Sequence, residues 1–252
     1  MDPPLPDAPL PDAVASVVAA MQSRLARASP AQGPFLRTYC RTIAAVGTAI
    51  ARGVFEDPAW VEAWDVAFAD LYLAALDADL SGADVPHPWR LAFDAPASLQ
   101  PLQHVLLGVN AHVNHDLPQA LLAVIPDADF ANTQLLDRRR RDHERIDGVL
   151  ADRVAAEDDE LARLSSRRVV DRVLGPLNRW ASRRFLREAR RKVWHNTVEL
   201  QRARLAGPVA YAARLAELEE LAAARIARLL SPGQVLLRLA VVGFGVVLPP
   251  SA

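Results

Sequence analysis

Residues Pro101 to Ile125, PLQHVLLGVNAHVNHDLPQALLAVI, constrain this chain more than any other stretch. The segment is apolar enough to be a central helix, yet it carries His104, Asn110, His112, Asn114, His115 and Asp116. A buried helix seldom gathers so many polar side chains, because each needs a partner once it leaves water. At about 100° per residue, His104, His112, His115 and Asp116 share roughly a third of the circumference. Asn110 and Asn114, one turn apart, form a second polar row. Between the rows lie Leu106, Leu107, Val109, Ala111 and Leu117, so protein should surround the helix on every side. Pro118 has no N–H to bond the carbonyl of Asn114, and its ring crowds that turn. The sequence therefore predicts a kink or break between Asp116 and Pro118, or a new helix capped there, beside the His/Asp cluster.

The rest of the chain is read as helices around this one. Residues 1–11 are proline-rich and predict a flexible arm, 12–233 a single helical domain, and 234–252 an apolar tail. A helix is predicted from Pro11 to about Ala28, and a second from Phe35 to Arg52. Asp57 followed by Pro58 predicts the start of a third, which runs to about Leu80 and stops at Ser81-Gly82. On it, Trp60, Trp64, Phe68, Leu71 and Ala75 form an apolar row, while Asp65, Ala69 and Tyr72 share another face. Asp65 is the candidate carboxylate from a second helix, or else a solvated acid. A charged helix is predicted from Thr133 to about Ala156. Its His143 and Asp147 repeat the spacing of His112 and Asp116, but their charged neighbours predict a solvated face. Glu157-Asp158-Asp159-Glu160 reads as acids at the N-terminus of a following helix. No alternation of strand type occurs, so the fold class is all-α, with about eight to ten helices around a buried central one.

Charge and composition exclude several functions. Cys40 is the only cysteine and lies in an apolar helix, so neither a disulfide framework nor a thiolate zinc site is available. The N-terminus has no signal-peptide pattern and no run is long enough to span a bilayer, which predicts a cytoplasmic protein. Many alanines and arginines with a single lysine, Lys192, suggest a GC-rich bacterial genome. Residues 1–135 carry a net charge of −9 and residues 136–252 a net +8, which predicts two halves packed against each other. Arg179, Arg183, Arg187 and Arg190 share one helix face. No aromatic residues interleave with them to stack bases, which argues for a solvated face and against nucleic acid. The apolar C-terminal tail is too short to span a membrane but suits peripheral contact with one.

LQHVLLGVNAHVNHDLPQAL resembles an uncharacterised family, mainly actinobacterial, known as domain of unknown function 5995, whose hallmark reads approximately LGxNAHIxxDLP. Gly108, Asn110, Ala111, His112, Asp116, Leu117 and Pro118 carry the match, with His104 upstream. Phe55, Trp60, Phe68 and Tyr72 resemble the family's preceding helix. The resemblance implies a helical domain and transfers no activity. A more distant similarity is to zinc-dependent phospholipase C and the related single-strand nucleases, which use His-x-x-x-Asp pairs as ligands. This chain lacks their His-x-x-x-His, because position 108 is glycine.

Three chemistries fit the cluster. In the first, His112 and Asp116 bind a divalent transition metal (zinc, iron or manganese), with His104 or His115 and Asp65 completing the set. Asn110 and Asn114 would then orient bound groups. A metal-bound water would hydrolyse a small-molecule or lipid-like substrate. In the second, His112 and Asp116 are an acid–base pair assisted by His104, without metal. In the third, the polar rows are a buried network that specifies helix packing in a binding or scaffold protein.

Overall fold

Proline and glycine punctuate the chain, and the helices begin and end where they stand. The computed structural model describes residues 9–164 and 191–231. It contains α1 (Asp12–Arg24), α2 (Gly33–Ala51), α3 (Pro58–Leu80), α4 (His87–Phe93), α5 (Pro101–Ala111), α6 (Leu117–Val124), α7 (Thr133–Leu164), α8 (helical over 191–206) and α9 (Pro208–Leu230). No strand occurs among the described residues, so the all-α class holds. The arginine face at 179–190, the tail at 234–252 and residues 1–8 of the arm lie outside them. No described helix is long and apolar enough to cross a membrane.

The start of α3 shows the local logic. The Asp57 side chain accepts the N–H of Trp60 at 3.2 Å, and Pro58, which has no N–H to satisfy, opens the first turn. At the other end Gly82 takes φ of 73°, a left-handed conformation that favours glycine. Gln100 and Gln103 cap α5 reciprocally, with the Gln100 N–H donating to Gln103 Oε1 at 2.8 Å.

The 101–125 stretch forms the axis of the fold. α5 packs on α2, α4 and α9, while α6 packs on α3. Leu107, Ala111, Leu117, Ala120 and Leu121 from this axis join Phe35 and Leu36 of α2, Trp64, Phe68 and Leu76 of α3 and Trp89 of α4 in one core. A smaller cluster of Leu122, Leu200 and Leu218 forms where α6, α8 and α9 meet. Gly108 explains the close seating of α2. A Cβ there would lie 2.4 Å from Cγ of Phe35, so only glycine lets that ring rest on the α5 backbone. Aromatic rings crowd the same region, with Phe35 edge-on to Tyr72 at 5.0 Å between centroids.

α3 is buried on several faces at once. Asp65 is only 3% exposed, so it is a buried acid and not a solvated one. α7 differs in two ways from the solvated, shorter helix that its sequence predicts. His143 and its neighbour Asp142 are fully buried, although the sequence around them is charged. The arginines reach around the core to acids on other elements, Arg139 to Asp129 and Arg141 to Glu56, and so leave the His143 face to Trp64 and Trp194. Glu157 to Glu160 lie inside α7, which continues to Leu164, so they do not begin a helix. The predicted end near Ala156 was too early because no proline or glycine stops the chain there.

Candidate functional site

The expected break at Pro118 is resolved as a wide turn. Between α5 and α6 the chain makes one π-helical turn, His112–Asp116, in which the Leu117 N–H donates to the carbonyl of His112 five residues back. The axis continues without interruption. Pro118 cannot donate to Asn114, and adding a residue to the preceding turn accommodates its ring. π-turns occur often at functional sites because they re-aim side chains that an α-helix would fan out.

Here the wide turn gathers three side chains. His112 Nδ1 lies 2.8 Å from Asp116 Oδ2, and His115 Nδ1 lies 2.7 Å from Asp116 Oδ1. The indole N–H of Trp89, from α4, donates to Asp116 Oδ2 at 2.8 Å. All three partners are nearly inaccessible: His112 and Asp116 are 3% and 2% exposed. Burial pushes the Asp116 carboxyl up, but the hydrogen bonds from His112 and His115 outweigh it and hold the group below the usual carboxylate range. A carboxylate only accepts, so both imidazoles carry their proton on Nδ1 and leave Nε2 as the basic nitrogen. Burial also lowers the pKa of His112, more than the neighbouring carboxylate restores it, so this imidazole is neutral near pH 7.

Around His112 is a wall of rings. Phe68 stacks on the imidazole at 3.5 Å between centroids, nearly parallel, and Tyr39 meets it edge-on at 4.5 Å. Phe35, Tyr72 and Trp89 complete the enclosure. Four polar atoms in this region have no partner among the described residues: His112 Nε2, the hydroxyls of Tyr39 and Tyr72, and Asp65 Oδ2. Asp65 lies one turn of α3 from Phe68, and burial pushes its carboxyl well above the usual range. Burial raises the Tyr39 and Tyr72 hydroxyls as well, with Asp65 adding to the effect on Tyr39.

The remaining predicted residues go elsewhere. His104 sits two turns before His112, a rise of about 12 Å along the axis. It is buried, with neither ring nitrogen partnered among the described residues, and burial lowers its pKa. His115 turns its other nitrogen toward the Gln119 amide at 3.3 Å. Asn110 and Asn114 bond to each other and to the backbone of α5. Asn110 Oδ1 also accepts Nε of Arg225 from α9 at 2.8 Å, so the second polar row meets a neighbouring helix. His112, His115 and Asp116 are thus brought together, while His104 and the asparagines stand apart. Among the described residues no three His, Cys, Asp or Glu side chains are arranged to hold a metal ion.

Sequence reasoning did not find Trp89 or Tyr39. Trp89 sits in a short helix whose relation to α5 no local spacing reveals. Tyr39 lies on α2 beside Phe35, Leu36 and Ile43 at helical spacing, with no ionisable residue to mark its face.

The fold and site define an all-α protein with a buried His–Asp–His cluster at a π-turn. The chain belongs to a family of unknown function, DUF5995, whose family model matches residues 12–232. Comparison with curated proteins and with solved structures finds no match.

Proposed function

We propose that this protein is an acid–base enzyme acting on a small, largely apolar or lipid-like molecule, with His112 as base, Asp116 as its orienting carboxylate and Asp65 as acid. One observation carries the reading. The hydrogen bonding of Asp116 is complete, yet among the described residues His112 Nε2 has no partner, nor do the hydroxyls of Tyr39 and Tyr72, whose rings pack on the imidazole, nor Asp65 Oδ2, whose carboxyl acts on Tyr39. A network that serves packing alone is expected to satisfy its members, since each orphaned buried group costs about 1–3 kcal/mol. The environments also drive two carboxyls apart, Asp116 down and Asp65 up, which is how one site holds both a fixed anion and a proton donor at neutral pH. The aromatic walls favour an apolar substrate, which enters only if rings such as Phe68 move aside.

A metal-dependent hydrolase is the second reading. Imidazoles that bind metal through Nε2 are commonly held by a carboxylate at Nδ1, as His112 is. Zinc, iron or manganese would find His112 and Asp65 as open donors and would activate a water. His104 is too far along the axis to join without rearrangement.

The test compares wild type with His112→Gln and Asp65→Asn in two assays. The first follows depletion and formation of compounds in a metabolite extract by mass spectrometry. The second measures metal content by elemental analysis after purification without added metal. Turnover by wild type that both variants lose while remaining folded is the expected result. Stoichiometric zinc, iron or manganese, lost in both variants, would put the hydrolase reading first. No turnover and no metal, with both variants strongly destabilised, would leave a helical scaffold.

A further inference from the structure

We infer that a second site, between the π-turn, α8 and α9, binds the phosphate group of a small phosphomonoester. A cleft of about 310 Å³ opens there. Lys192 and His195 of α8, Arg225 and Arg228 of α9, Asn114 of the π-turn and the apolar Leu218 are among the residues that line it. No acidic residue lines it among the described residues.

This departs from the habit of the chain. Several arginines elsewhere are matched to acids across elements: Arg24 to Asp77, Arg139 to Asp129, Arg204 to Asp127. Neither Lys192 nor Arg228 has an acidic partner among the described residues. Arg225 and Arg228 stand three apart on one helix, a like-charge spacing that costs rather than stabilises. The last turn of α9 favours a cation and accounts for Arg228, but it does not account for Lys192 brought up from α8. A cleft lined by one sign of charge focuses its potential on a small anion. Several cations lining one small cleft suit a dianion better than a carboxylate, and the apolar lining residues take the organic part of the ester. Asn110 holds Nε of Arg225 and so fixes the guanidinium, while Asn114 both lines the cleft and belongs to the turn that carries His112 and Asp116. The site does not depend on the acid–base reading of that turn.

Calorimetric titration of the whole protein with inorganic phosphate and with phenyl phosphate, at constant ionic strength, tests the inference. Wild type binds both, phenyl phosphate more tightly. The double variant Lys192→Gln, Arg228→Gln binds about tenfold more weakly or worse, in keeping with the loss of charge-assisted bonds. Arg90→Gln, an exposed cation on α4, leaves binding unchanged. Lys192→Gln alone, at an exposed position, weakens binding and keeps the measurement decisive if the double variant melts early. No binding by wild type, equal binding by the variants, or binding only to vesicles containing phosphatidic acid would overturn the site.

Discussion

Two buried carboxylates, Asp142 and Asp116, have similar surroundings and different consequences. Both are buried next to a buried histidine on which aromatic rings pack. Asp142 accepts the backbone N–H groups of Glu56 and Asp57 at 2.8 and 2.7 Å, and Arg145 at 2.6 Å. It fastens α7 to the entry of α3, and its charge is balanced by a guanidinium. Asp116 is also fully bonded, but by two imidazoles and an indole, with no fixed cation. Among the described residues, the neighbourhood of this seam leaves the indole N–H groups of Trp60 and Trp64 on α3 and of Trp194 on α8 without a hydrogen-bond acceptor. The π-turn region leaves a base, a carboxyl and two phenols. An unpaired indole costs stability and does no proton chemistry; the other set can exchange protons. Burial of an acid does not mark a site by itself; what its neighbours leave unpaired does.

Asp142→Ala should have the largest effect on stability. It strips three donors of their acceptor and leaves Arg145 without its buried partner, so denaturant melts should show a loss of about 3–5 kcal/mol. A loss below 1 kcal/mol would mean that the seam is no more than a surface contact and that the contrast drawn here fails.

Gly108→Ala should come next. Alanine favours a helix interior by about 1 kcal/mol over glycine, so a free position would gain stability. Here the new methyl meets three carbons of the Phe35 side chain within 2.9 Å. The ring that encloses His112 would have to move, at a net cost of about 1–3 kcal/mol in melts. A stabilised variant would show that the enclosure is loose.

The smallest effect is expected for Asp65→Asn, and it has the opposite sign. The folded carboxyl of Asp65 titrates well above its unfolded value, so the native state holds a proton that the unfolded chain has released. Its contribution is therefore full below the unfolded value, near pH 4, and declines as pH rises toward the folded one. The variant should match wild type near pH 4 and exceed it by about 1 kcal/mol or more at pH 8. Melts across that range measure the slope. Equal slopes in both proteins would mean that Asp65 has a partner and that the two regions are alike.

Much of this was legible in the residues. The Asp57-Pro58 start, the Gly82 stop, the all-α class and the central position of 101–125 follow from local rules of capping, breaking and periodicity. The pairing of His112 with Asp116 followed from their spacing. The π-turn was not legible, because Pro118 states that a normal turn is impossible without stating which abnormal one replaces it. The spacing of Asn110 and Asn114 suggests groups that orient a ligand, but it does not reveal that Arg225, over a hundred residues away, donates to Asn110. His143 was misjudged because its charged neighbours on α7 are paired to acids on other elements. Such long-range partners leave no local periodicity to read.

The π-turn also sets a phase. One added residue rotates everything after it by about 100° relative to an unbroken α-helix. α6 meets α3, and the carboxyl of Asp116 meets two imidazoles, only at that angle. Chain length between Ala111 and Pro118 thus acts as a mechanical key. Exchanges of side chain there alter the contents of the site, whereas removing a single residue would turn α6 away from its partner and take the acid with it.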